Sequence, residues 1–108
     1  EVSRRLSDAG ATVLAVPADW VPGSHKSEHW QTLLKARAIE NIAWVVAANH
    51  PWPSGIGESM VVDPLGDVVI DTSTGEVVLD MTLDADTVTA ARRVNPALRN
   101  RRYGVSPL

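Results

Sequence analysis

A mixed α/β sheet with helices laid on one face is the architecture these 108 residues predict, and three observations carry it. The elements read in the order helix, strand, helix, strand, strand, strand, strand, helix, which favours one sheet layered with helices. Two short apolar runs, Thr12–Val16 and Trp44–Ala48, have the continuous hydrophobicity of buried strands. Between them lies a long stretch whose apolar residues recur at helical spacing.

Residues Glu1 to Gly10 read as a helix, with Gly10 placed to cap its C-terminus because glycine enters the left-handed region freely. The strand Thr12–Val16 is expected to stop at Pro17. Pro22 and Gly23 break either periodicity, so residues 21–25 form a loop. The next helix begins with Ser24 or Ser27 as N-cap, and Trp30, Leu33, Leu34, Ala38 and Ile42 make its apolar stripe. After Trp44–Ala48 a second loop runs from Asn49 to Gly57, with Pro51, Trp52, Pro53 and Gly55 inside it.

A hairpin comes next, pairing Ser59–Val62 with Asp67–Ile70. Pro64 and Gly66 sit at the second and fourth positions of a type I turn. Glu76–Leu83 reads as a further strand after a turn at residues 73–75. Asp84 and Asp86 can cap a helix from Ala85 to Val94, ended by Asn95 and Pro96. Residues 97–108 are expected to be a peripheral tail on a single domain region covering residues 1–108.

Ten basic against 13 acidic residues leave a net charge of -3, which supplies no electrostatic footprint for nucleic acid or an anionic membrane. No apolar run approaches the ~20 residues that span a bilayer, and the N-terminus lacks the basic-then-apolar order of a signal peptide, so a cytoplasmic setting is expected. Cysteine is absent. Within these residues that excludes a disulfide framework, a thiolate metal site and a thiol nucleophile.

Three segments, taken together and in order, carry a family resemblance: EHWQTLLKARAIEN over residues 28–41, WVVAAN over 44–49 and GESMVVDPLG over 57–66. They resemble the nitrilase superfamily of carbon-nitrogen hydrolases, in which a helix reading HW..LL.ARAIEN leads into a strand ending A-A-N and later a G-x-S-x-x-x-D-P-x-G hairpin. Glu1 and the basic helix after it resemble the stretch directly downstream of the family's nucleophile segment, C-Y-D-x-R-F-P-E, with Glu1 as the last acid of that segment. The resemblance implies a four-layer αββα sandwich of which this chain is the C-terminal portion. It also implies a Glu general base, a Lys that steadies the oxyanion and a Cys nucleophile, all upstream of Glu1. No cofactor is implied. A homodimer built on the first helix and the ARAIEN helix is.

Several residues admit two readings. Asp19 and Trp20 end a strand at the edge where α/β sheets build their sites, and the resemblance places this loop near the substrate; an aromatic plug beside a solvated acid is the competing reading. By the same resemblance Asn49, which opens the loop holding His50 and Trp52, lies towards the pocket. Arg37, Glu40 and Asn41 lie close enough on one helix to touch, either to order the site's loops or as a structural ion pair at a packed interface. Ser59 reads as a structural hydrogen-bonding residue because no G-x-S-x-G elbow surrounds it. Glu58 departs from the His, Gly or Lys expected before that serine, which leaves the substrate class open. His25 and His29 are four apart, but the acid of H-E-x-x-H is missing between them, so no metal site is expected. Lys26, Lys35 and the run Arg99–Arg102 read as solvated surface.

The function implied is therefore that of an amidase-type hydrolase acting on a small-molecule amide or related compound, with this chain catalytically empty on its own. A non-catalytic nitrilase-like binding or dimerisation module is the alternative. Hydrolysis by Ser59 with a histidine is a third.

Overall fold

The computed structural model describes residues 1–72 and 75–106. Seven elements succeed one another: α1 (Val2–Asp8), β1 (Val13–Ala18), α2 (Lys26–Asn41), β2 (Trp44–Asn49), β3 (Met60–Val62), β4 (Val68–Asp71) and α3 (Ala85–Val94). The four strands form one sheet in the order β1-β2-β3-β4. β1 and β2 are parallel, with Val13 opposite Trp44 and Ala18 opposite Asn49, while β2–β3 and β3–β4 are antiparallel. The mixed sheet expected from the sequence is the one observed.

α1 ends as Gly10 implies. Gly10 takes φ +102°; its N–H donates to the Ser7 carbonyl at 3.1 Å and that of Ala11 to Leu6 at 3.0 Å, the paired bonds of a left-handed C-cap. Pro17 does not stop β1. The strand continues to Ala18 because it lies at the sheet's edge, where a residue without an N–H is tolerated.

α2 is the crossover between the two parallel strands. Its N-cap is His25, at φ +61°, instead of Ser24 or Ser27; Ser27 lies inside the first turn. Trp30, Leu34 and Ala38 are buried against Leu14, Val45, Met60 and Val62, whereas Leu33 is on the exposed side. Ile42 terminates the helix in the left-handed region at φ +45°, a conformation β-branched residues rarely adopt. Complete burial of its side chain holds it there, and its carbonyl accepts from Arg92 Nε at 3.3 Å.

The hairpin turn forms at residues 63–66. Gly66 N–H donates to the Asp63 carbonyl at 3.0 Å, and Asp63 Oδ1 accepts from the N–H groups of Leu65 and Asp67 at 2.8 and 2.9 Å. Gly66 sits at φ +97°, and a Cβ there would meet the Ile39 side chain at 2.6 Å. The left-handed conformation is what calls for glycine, since the half-exposed Ile39 side chain can move aside.

α2 covers one face of the sheet, and α1 packs against α2. α3 departs from the single helical face expected: its Val88 packs with Trp44 and Val61 on the opposite face, because alternate residues of β2 and β3 point there. Asp84 caps α3, accepting from Asp86 N–H at 2.8 Å, and the Asp84 carbonyl accepts from Trp44 Nε1 at 3.2 Å.

Glu76–Leu83 forms no strand. It runs as an unpaired strap over the same face as α3, with the neighbouring turn expected at 73–75 lying partly outside the described residues. The tail is less free than its charge suggested, since Arg101 forms an ion pair with Asp8 of the C-terminal turn of α1. Among the described residues no helix is long and apolar enough to cross a membrane.

Candidate functional site

Because β1 and β2 are parallel, their C-terminal ends fall at one edge of the sheet, and the loops leaving them meet there. Asn49, the last residue of β2, joins these loops through its side chain. Its Oδ1 accepts from Trp20 N–H at 2.7 Å and from His50 N–H at 3.0 Å, and its Nδ2 donates to the Gly57 carbonyl at 2.8 Å. Two donors at one amide atom and an acceptor at the other fix which atom is oxygen. Its backbone N–H donates to Ser59 Oγ at 3.0 Å. Ser59 Oγ thus holds the backbone at the end of β2.

Trp20 is held from several sides. Its carbonyl accepts from Ile56 N–H at 2.9 Å and its indole Nε1 donates to the Lys26 carbonyl at 2.9 Å. The ring lies 5.7 Å from that of Trp30, tilted, and the Lys26 ammonium sits 4.7 Å above it. Lys26 is thus engaged with an aromatic face instead of being plain solvated surface. Asp19, one residue earlier, projects from the strand end and is exposed.

The loop from residue 50 to 57 closes on itself. The His50 carbonyl accepts from Gly57 N–H at 2.9 Å, and Gly55 N–H donates to the Pro51 carbonyl at 3.1 Å. A Cβ on Gly55 would lie 2.2 Å from the His50 carbonyl oxygen, so only glycine fits. Trp52 stands exposed at the tip, and Ile56 is buried beneath. Glu58 comes next, at φ +53°. Its carbonyl accepts from Trp30 Nε1 at 2.8 Å and its carboxylate from Ser27 Oγ at 2.7 Å, which ties the loop to the first turns of α2.

The structure thus brings together Asp19, Trp20, Asn49 and Ser59. It leaves the other suggested residues elsewhere. Arg37, Glu40 and Asn41 occupy the last turn or so of α2, roughly 15 Å or more along the axis from its start at 1.5 Å per residue. There Arg37 pairs with Glu40, Arg4 of α1 donates to the Glu40 carbonyl, and Asn41 Nδ2 donates to the Arg37 carbonyl at 2.8 Å. This group joins α1 to α2 and does not order the loops. Glu1 is exposed as the N-cap residue of α1; its carbonyl accepts from Arg5 N–H at 3.0 Å, and its side chain makes no capping bond. His25 and His29 stack at 6.0 Å, with Glu28 3.7 Å from His25. No group of three or more metal-ligating side chains exists among the described residues.

Sequence reasoning missed Glu58 and Lys26 as loop fasteners. Trp20 and Trp30 carried a usable signal, since a packed indole N–H needs an acceptor, but nothing in the sequence says which carbonyl supplies it. A cavity of about 390 Å³ lies between the strap and the sheet, reaching Ser59 and lined mainly by aliphatic groups including Val46, Ile70, Leu79 and Met81.

The fold and the loops gathered at one sheet edge define an α/β protein with its candidate site at the ends of parallel strands. The sequence profile of the carbon-nitrogen hydrolase family matches residues 1–93, and the chain belongs to that family. It is 36% identical over 94 residues to a deaminated glutathione amidase from Escherichia coli O157:H7, covering 87% of this chain and 36% of the relative. Against a 2-oxoglutaramate amidase from Paenarthrobacter nicotinovorans it is 36% identical over 112 residues, covering 97% and 36%. The solved structure of the C. elegans NitFhit protein superposes with a TM-score of 0.78 at 36% identity, over 94% of this chain and 26% of that one. The chain therefore spans little more than a third of the length of these two amidases.

Proposed function

We propose that these 108 residues are the C-terminal portion of an amidase that hydrolyses a non-peptide C–N bond through a cysteine thioester. The family match over residues 1–93, with amidases at 36% identity, carries this reading. In this reaction a thiolate attacks the amide carbon, the oxyanion is steadied by a cation, the amine leaves, and water then hydrolyses the thioester. The thiol has to come from sequence beyond these residues, which hold no cysteine, and the nitrilase resemblance suggests that the Glu base and Lys come from there too. The present region supplies sheet, pocket wall and loops, and is inactive alone. The protein acts in the cytoplasm as a homodimer.

The test is to express the complete open reading frame and assay ammonia release from small aliphatic amides, ω-amides and carbamoyl compounds. Hydrolysis that iodoacetamide abolishes, with none from residues 1–108 alone, is the expected result. A complete reading frame without an upstream cysteine would return the chain to the role of a non-catalytic module. Activity of residues 1–108 that is lost in Ser59→Ala would overturn the reading in favour of a serine mechanism.

A further inference from the structure

We propose that Asn49 is a positioning residue of the amide-binding site, setting the placement of Asp19 and His50 relative to each other. The inference rests on the amidase reading above.

Asn49 Oδ1 spends both acceptor directions on backbone N–H groups, those of Trp20 and His50. The first fixes the residue after Asp19, and the second shares the single His50 N–H with the Ala18 carbonyl. Nδ2 holds the Gly57 carbonyl, so the far end of the 50–57 loop is tied to the same side chain. One amide thus links the end of β1, the end of β2 and the return towards β3. The flanking contacts reinforce it: Ser59 Oγ accepts the Asn49 backbone N–H, the Ala18 carbonyl accepts from His50 N–H at 3.0 Å, and the His50 carbonyl accepts Gly57 N–H.

The side chains this clamp leaves uncommitted are its passengers. Asp19 and His50 are exposed, whereas Asn49 is half-buried. A carboxylate and an imidazole can receive or donate hydrogen bonds to the polar groups of a small amide, whereas Asn49 has one N–H left at most. Loss of the clamp lets the two loops move apart, which weakens substrate binding without touching the reacting atoms. A displacement of about 1 Å at a substrate-positioning group is enough to matter.

The test compares the complete wild-type enzyme with Asn49→Ala, Asn49→Asp and Ser59→Ala on the best small amide found for the wild type. Asn49→Ala is expected to raise KM about tenfold and change kcat less than threefold. Asn49→Asp keeps an acceptor for the Trp20 and His50 amides and loses only the donor to Gly57, so it recovers part of that KM. Ser59→Ala shifts KM in the same direction by less. If Asn49→Ala does not fold, the other two variants carry the comparison. A folded Asn49→Ala or Asn49→Asp enzyme with wild-type KM overturns the proposal, and so does a fall in kcat at unchanged KM, which would place the residue at the reacting atoms. Absence of amide hydrolysis in the wild type would instead sink the amidase reading on which it stands.

Discussion

The loops around Asn49 and the strap at residues 76–83 lie against the same sheet and are held in opposite ways. In the loops, the N–H groups of Trp20, His50, Gly55, Ile56 and Gly57 all have partners, and two indoles add bonds of their own. Along the strap no backbone hydrogen bond exists among the described residues; Val77, Leu79 and Met81 are half-exposed over the aliphatic cavity, and Val78 is 90% exposed. Directional bonds specify one loop geometry, whereas apolar cover specifies only that something apolar be there. The strap alternates Val77, Leu79, Met81 and Leu83 like a strand, yet a strand exists only when a second edge takes its hydrogen bonds.

Trp30→Ala should separate the two regions most sharply. It removes a buried indole and the donor to the Glu58 carbonyl, so it should cost about 4 kcal/mol in chemical denaturation while leaving the strap unchanged. Gly55→Ala forces a Cβ onto the His50 carbonyl and is expected to cost roughly 2 to 3 kcal/mol. A cost below about 0.5 kcal/mol there would show that the loop yields, and the contrast with the strap would collapse. Asp84→Ala, where the strap meets α3, removes one capping bond and should cost about 1 kcal/mol.

The smallest effect belongs to the strap. Val78→Thr should change stability by less than about 0.5 kcal/mol, because the side chain is already in water. Amide hydrogen exchange provides the direct comparison: Trp20, His50 and Gly57 should be protected and residues 77–83 should exchange quickly. Protection of the strap as strong as that of the loops would mean that it has a strand partner in solution.

Much of the fold was legible because local rules and tertiary context agree. Gly10 takes the left-handed angle its capping position demanded, the turn closes at Gly66, Asp84 caps α3, and the stripe through Trp30, Leu34 and Ala38 is the buried face of α2. Of the site, the meeting of Asp19, Trp20 and Asn49 was legible because each lies at the end of a strand and parallel strands bring such ends to one edge. Of the two readings the sequence left open for the Arg37 group, the structure holds the ion pair between α1 and α2. Spacing along a helix says which side chains touch each other, but not which end of the sheet the helix carries them to.

What these residues determined by themselves is the set of features that depend on near neighbours: the Gly10 and Asp84 caps, the hairpin turn and the periodic face of α2. Only the tertiary structure decided that Ile42 turns left-handed under burial, that His25 caps α2, that α3 crosses to the opposite face, and that Asn49 bonds Trp20 from 29 residues away. Those outcomes depend on groups distant in sequence competing for one carbonyl, one N–H or one patch of sheet. Residues 76–83 remain unpaired for the same reason, since alternation supplies a strand's faces and only another strand supplies its hydrogen bonds.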